Sequence, residues 1–217
     1  MEIYARHKVL KVHAWFPEKV LVIYPLNTKN LSGEDMAIKE NPTCSFNKEC
    51  RYPNIDKESF CDEMSSVIGD VRIGKEVYVA PFVSLRADEG TPIIIGEKSN
   101  LQDGVIIHAL EHTSVEIGKK TSIAHGAVIH GPTKIGDNSF VGFRAVVHSS
   151  EIGKECFIGH GAIVVGVKIG DKKLVPHGAV ITEQEKADKL ADSTKELFKF
   201  NEEVLCVNCE FARRYRR

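Results

Sequence analysis

Of the nine histidines in the 217-residue chain, three stand at spacings that could bind a metal ion: His108, His125 and His130. His108 follows Ile107 and His130 follows Ile129, in a stretch where aliphatic residues recur every six positions. The step from Ile107 to Ile129 is 22 residues, one coil of three hexapeptides plus a four-residue loop. The two imidazoles therefore share a column on successive coils, roughly 4.8 Å apart, and both can reach one ion over bonds of about 2.0–2.1 Å. His125 comes two places after Ile123 and shares its column with Asp103, so it points from another position. The spacing predicts a site between subunits, with His125 of one chain meeting His108 and His130 of its neighbour. Three such sites would close a threefold ring. His148 lies in the His108 column one coil beyond His130, where it either relays protons or fills the face. His7, His13, His112, His160 and His177 carry no spacing argument, although His112 is near His108 in the chain.

The elements that must position these rings follow from the repeat. Val67, Ile73, Val79 and Leu85 open it, and Ile95, Leu101 and Ile107 resume it after a ten-residue step. Ile117, Ile123, Ile129, Ile135, Val141 and Val147 follow a second such step, and Ile152, Ile158, Val164 and Ile169 close it. A hexapeptide with one inward aliphatic suits a short strand plus a corner, and three of them make a triangular coil of about eighteen residues. An α-helix would scatter these aliphatics around its surface, and the abundant glycine and β-branched residues oppose it. The expected fold is all-β, a parallel β-helix with a C-terminal α-helix, left-handed as hexapeptide proteins are known to be. The chain then divides into an extension with no assigned role (1–36), a lead-in (37–66), the β-helix with its metal site (67–181), and a helix and tail (182–217). The helix is expected from Thr182 to about Phe200, where Ala187, Leu190, Leu197 and Phe198 stand among charged residues. Arg213 to Arg217 reads as a solvated basic tail.

Lysine and arginine number 29 against 30 aspartates and glutamates, a net charge of -1, so nothing asks for nucleic acid or an anionic membrane. The apolar run Val20 to Tyr24 is too short to span a bilayer and no small-residue cleavage site follows it, which points to a cytoplasmic protein, with export left open if the N-terminus is a divergent leader. Six cysteines in a chain this long do not read as a disulfide framework, and Cys206 and Cys209 lack the second pair of a zinc knuckle.

Several ordered segments resemble the gamma-class carbonic anhydrases: Ser65-Ser66-Val67-Ile68-Gly69, Leu85-Arg86-Ala87-Asp88-Glu89-Gly90, Ser99-Asn100-Leu101-Gln102-Asp103-Gly104-Val105, His108-Ala109-Leu110-Glu111, Ala124-His125 and His130-Gly131-Pro132. The resemblance implies a homotrimer that binds a divalent metal through His108, His125 and His130 at its subunit interfaces. The metal would be zinc, with ferrous iron and cobalt as alternatives. It implies reversible hydration of CO2 to bicarbonate and a proton by a metal-bound hydroxide. The near-neutral ionisation this needs, about pH 7, is the value established for carbonic anhydrases and not a result of the spacing. It further implies that Arg86 and Asp88 form an intersubunit salt bridge, with Asp103 in the same network. Gln102 would hydrogen-bond the metal's water, Glu89 would assist hydration or proton transfer, Glu111 would shuttle protons, and Asn100 and Asn201 would belong to the pocket. The family's long acidic loop after His-Ala-Leu-Glu is missing here, so His112 or His148 could take over the shuttle role.

Two other readings compete. A coenzyme A-dependent acyltransferase would need one catalytic histidine between subunits, and a stacked histidine pair argues against it. A non-catalytic β-helix assembly subunit would keep the fold without the reaction.

Overall fold

The computed structural model describes residues 3–5, 8–10, 38–45 and 47–216. Two units separate, Met1–Glu34 and Asp35–Arg217. In the first, Ile3–Ala5 pairs antiparallel with Lys8–Leu10, and the rest of the expected N-terminal extension lies outside the described residues.

The second unit is a left-handed parallel β-helix of about seven coils; the hexapeptide beat predicts the coils, and the hand is that of hexapeptide proteins. Each coil gives one strand to each of three parallel sheets. The first face runs from Ile38–Lys39 to Val180–Ile181, the second from Asn54–Ile55 to Lys168–Ile169, and the third from Phe60–Cys61 to Leu174–Val175. Inward aliphatics stack on their counterparts from coil to coil: Leu85, Ile107, Ile129 and Val147 on the first face, Ile73, Ile95, Ile117 and Ile135 on the second, and Val79, Leu101, Ile123 and Val141 on the third. All are buried, and each contributes on the order of 2 kcal/mol of burial. The lead-in supplies the first coil, since Ile38–Lys39 pairs with Val67 and Ile68, and Asn54–Ile55 with Arg72 and Ile73. Both ten-residue steps fall at the corner between the first and second faces, between Ala87 and Ile93 and between His108 and Val115.

The three outer surfaces differ. The second face carries charge, with Lys134 on Glu116 at 3.2 Å and Lys168 on Glu151 at 3.0 Å, and suits water. The third face carries Tyr78, Phe140 and Phe157 and is covered by the C-terminal helix. The first face carries two outward columns, one of Ile106, Val128, Val146, Ile163 and Val180, the other of Arg86, His108, His130, His148 and Val165.

The C-terminal helix starts later than the amphipathic pattern suggests. Thr182 to Phe200 holds a five-residue helix α1 (Gln184–Asp188), an extended break, and only the first residues of α2 (Lys195–Tyr215). The break has a physical cause: Leu174 N–H donates to Ala191 and Ser193 N–H to Lys172, so the segment satisfies the open edge of the last coil. Thr194 then caps α2 by accepting from Leu197 N–H. The basic tail is exposed as expected, but Arg213 and Arg214 belong to the last turn of α2, and Arg213 reaches Glu76 at 3.2 Å. No helix among the described residues is long and apolar enough to cross a membrane.

Candidate metal centre

Parallel pairing sets His108 beside His130, and His130 beside His148, on successive strands of the first face. His108 Nδ1 lies 3.2 Å from His130 Nε2. Two nitrogens on one tetrahedral ion, with bonds of about 2.0–2.1 Å, stand about 3.3 Å apart. The partners at the far side of each ring assign the tautomers. His130 Nδ1 faces the Gly131 carbonyl at 3.2 Å, which leaves a lone pair on Nε2. His108 Nε2 faces Asp88 Oδ1 and Glu89 Oε1, each at 3.4 Å, beyond a formed hydrogen bond, and the pull of two carboxylates favours the proton on Nε2 and the lone pair on Nδ1. Two lone pairs so close repel unless a cation sits between them. His108 Nε2 and Asp88 Oδ1 are buried without a hydrogen-bond partner among the described residues, so the cluster is incomplete as it stands. These donors fit a divalent metal.

His125 stands elsewhere, in the turn from the third face to the first. His125 lies five residues before His130, and the chain leaves its corner through the Gly126 turn, so a different corner of the coil presents it from the one beside the His108 and His130 pair. Its Nδ1 lies 3.0 Å from Asp103 Oδ2, leaving Nε2 free, and its side chain is 55 % exposed. Among the described residues no group of three or more histidine, cysteine, aspartate or glutamate side chains is placed to hold an ion.

The other expected site residues fall into two groups. Beside His108, Glu89 Oε2 accepts from Glu111 N–H at 2.7 Å, and Glu111 Oε1 lies 3.0 Å from His112 Nε2. Arg86 donates Nε to Asp88 of its own chain at 3.0 Å, so the pair implied between subunits already closes within one. Beside His125, buried Gln102 donates to Asn100 Oδ1 at 3.0 Å, and Asn100 donates to Ser122 Oγ at 2.9 Å. Gln102, Asp103 and His125 stand at one end of a cleft of about 430 Å³ walled by Phe140, Phe143 and Phe200. Asn201, expected in the pocket, instead donates to the Asn138 and Ser139 carbonyls at 3.2 and 3.4 Å and anchors α2.

Sequence reasoning missed a further column. Asp103, His125, Phe143, His160 and His177 stack along one corner, with Phe143 and His160 ring centroids 4.3 Å apart and those of His160 and His177 4.6 Å apart. His160 Nδ1 accepts from Phe143 N–H at 3.0 Å and His177 Nδ1 from His160 N–H at 2.8 Å. Their protons therefore sit on Nε2, and neither ring offers a free lone pair. Burial, then the neighbouring His177, lowers the His160 pKa. The signal lay in the coil length: Val147 pairs with Val164 and Ile135 with Ile152, so the later coils are one residue short. The described cysteines are all free, and burial pushes the Cys61 thiol up to about 12 and Cys156 up to about 11, which makes both unreactive.

Comparison with known proteins agrees with this architecture. The family described as bacterial transferase hexapeptide (six repeats) matches residues 114–149 and 132–166, and the hexapeptide repeat of succinyl-transferase matches 151–183. A carbonic anhydrase of Methanosarcina thermophila is 38% identical over 82% of this chain and 81% of its own. A carboxysome assembly protein, CcmM, of a Nostoc species is 40% identical over 80% of this chain but only 33% of its own length. A solved Bacillus cereus structure described as an acetyltransferase aligns with a TM-score of 0.67 at 24% identity, over 76% of this chain and 92% of that one, a likeness of fold alone.

Proposed function

Because the chain belongs to the gamma-class carbonic anhydrase family, we propose that it hydrates CO2 reversibly at a divalent metal held between the subunits of a homotrimer. The observation that carries this is the facing pair of lone-pair nitrogens, His108 Nδ1 and His130 Nε2, 3.2 Å apart on one protomer, with the free Nε2 of His125 stationed at the opposite edge of the same face. A threefold arrangement brings the His125 edge of one first face against the His108 edge of the next. It also buries the aliphatic column, of which Ile106, Ile163 and Val180 are 45%, 39% and 52% exposed in the single chain.

When bound, a divalent cation supplies a water that ionises near neutral pH, the value established for carbonic anhydrases. The chain supplies orientation and proton transfer. Gln102, its amide donated to Asn100, keeps Oε1 as an acceptor that would hold a water at such an ion. Glu89, one oxygen fixed by Glu111 N–H, has its other oxygen 3.4 Å from His108 Nε2, where it would take up the released proton. Glu111 and exposed His112, in contact at 3.0 Å, carry the proton outward in place of the missing acidic loop.

The likeness to a carboxysome assembly protein supports a second reading, a scaffold that keeps the fold without turnover. Anaerobic purification, metal analysis and a CO2 hydration assay separate the readings. Metal with turnover is expected, metal without turnover favours the scaffold, and a metal-free protein reopens the acyltransferase. His130→Ala is expected to abolish both tight metal binding and hydration, and a variant that retained both would remove His130 from the site.

A further inference from the structure

We propose that the aromatic cleft between α2 and the third face binds a small organic ammonium ion with an apolar body, whose charge Glu203 meets. The inference stands on the single chain and does not depend on the catalytic reading above. At about 430 Å³ the cleft falls within the size of small-molecule sites, roughly 300–1,000 Å³. The third face contributes Tyr78 and Phe140, and the corner beside His125 contributes Phe143. The other wall is one stripe of α2, formed by Phe200, Glu203, Val204, Val207, Asn208 and Phe211 at the i, i+3, i+4 spacing of a single helix face. Phe143, Phe200 and Phe211 each stay 40–42% exposed, so the cleft keeps aromatic surface in contact with water.

The polar groups of the cleft select the sign of its ligand. Glu203 is the charged member of an otherwise uncharged stripe, at a position where a helix face that did nothing but pack would carry an apolar residue. Its carboxylate meets Lys199 Nζ at 3.9 Å, an exposed i, i+4 pair that contributes little and leaves the carboxylate open to a ligand. Asp103 adds a second carboxylate at the far end, where it faces His125 at 3.0 Å. Asn208 spends its amide on the Val204 carbonyl at 2.8 Å and keeps its own carbonyl oxygen as an acceptor. Burial, then Tyr215, Asp103 and Asp62, push the Tyr78 pKa up, so its hydroxyl stays neutral. Among the described residues no lysine or arginine lines the cleft. Aromatic faces and carboxylates both attract a cation, whereas an anion would meet two like charges. An ammonium ion with an apolar body uses both parts, its carbon skeleton against the rings and its charge beside Glu203.

The test is calorimetric titration of the full chain as purified with benzylammonium and with benzyl alcohol, which share a shape, at a neutral pH where the amine is charged. Benzylammonium is expected to bind about tenfold more tightly than benzyl alcohol. Glu203→Gln keeps the size of an exposed side chain and should bring benzylammonium down to the affinity of benzyl alcohol, with benzyl alcohol unchanged. Phe200→Leu should weaken both probes and leave their order. Equal affinities for cation and alcohol in the wild type, or an undiminished preference in Glu203→Gln, overturn the site. An absence of binding by the wild type overturns it as well, and if Ile163→Asp, with a charge in the aliphatic column, then binds benzylammonium, a neighbouring subunit is what fills the cleft. The readout is binding and not turnover, so a protein that holds metal and hydrates no CO2 would remove the catalytic reading and leave this one standing.

Discussion

Asp103 Oδ2 lies 3.0 Å from His125 Nδ1, the Gly131 carbonyl 3.2 Å from His130 Nδ1, and two carboxylates approach His108 Nε2. Each contact fixes which nitrogen keeps its lone pair, and that lone pair separates a ligand from an ordinary histidine. His160 and His177 have the opposite wiring, because backbone N–H groups donate to their Nδ1 atoms. Asp103 is half exposed and its loss leaves the coil intact, so Asp103→Ala is expected to act on the metal and not on the fold. Metal affinity, measured by competition with a chelator, should fall about 10–100-fold. His160→Ala, in the same column two coils away, should leave it unchanged. Equal effects from the two substitutions would mean that ring tautomer does not select the ligands.

Asp70 shows how the lead-in is tied to the coils that carry the site. Arg51, from the first coil's loop before Asn54, reaches Asp70 at 2.6 Å, and Arg72 in the adjacent strand reaches it at 2.9 Å. Burial pushes the Asp70 carboxyl up, but the two guanidinium groups outweigh it and hold the pKa below its ordinary value. A carboxylate depressed in the folded state contributes its stability above the unfolded value, about 3.9, and loses it as pH falls through the lower folded one. Asp70→Asn should therefore cost about 1–2 kcal/mol in urea denaturation at pH 7, and the difference from wild type should shrink below pH 4. A gap that stayed constant down to pH 3 would assign the effect to packing. These elements differ in how far sequence reveals them. The His108, His130 and His148 column was legible because the inward aliphatic beat is regular there and each loop insertion falls at one corner, so subtracting it restores the register. His160 and His177 were not, because one-residue-shorter coils break an eighteen-residue count. The start of α2 was hidden because an amphipathic pattern does not say that Ala191 and Ser193 first pair with the last sheet edge.

Each of the three faces of the solenoid needs an exterior, and among the described residues the first lacks one: the second is charged and the third lies under α2. In the proposed trimer the aliphatic column beside the histidine column is the surface that the subunits cover. Ile163→Asp, which puts a charge into the aliphatic column, should yield a smaller particle by light scattering and lose the metal with it, whereas an unchanged particle would exclude this face from the contact. A stricter test follows from the division of ligands. If each centre takes His108 and His130 from one chain and His125 from the next, then His125→Ala and His130→Ala chains are each inactive alone but complementary together. Every contact in which a His125→Ala chain presents its intact pair to the intact His125 of a His130→Ala chain rebuilds a complete centre. Random assortment of equal amounts makes about one contact in four of this kind, so co-assembled chains should regain about a quarter of the wild-type metal and activity. Three ligands drawn from a single chain could regain nothing on mixing, and neither could a centre in which His125 takes no part, because His125→Ala alone would then remain active.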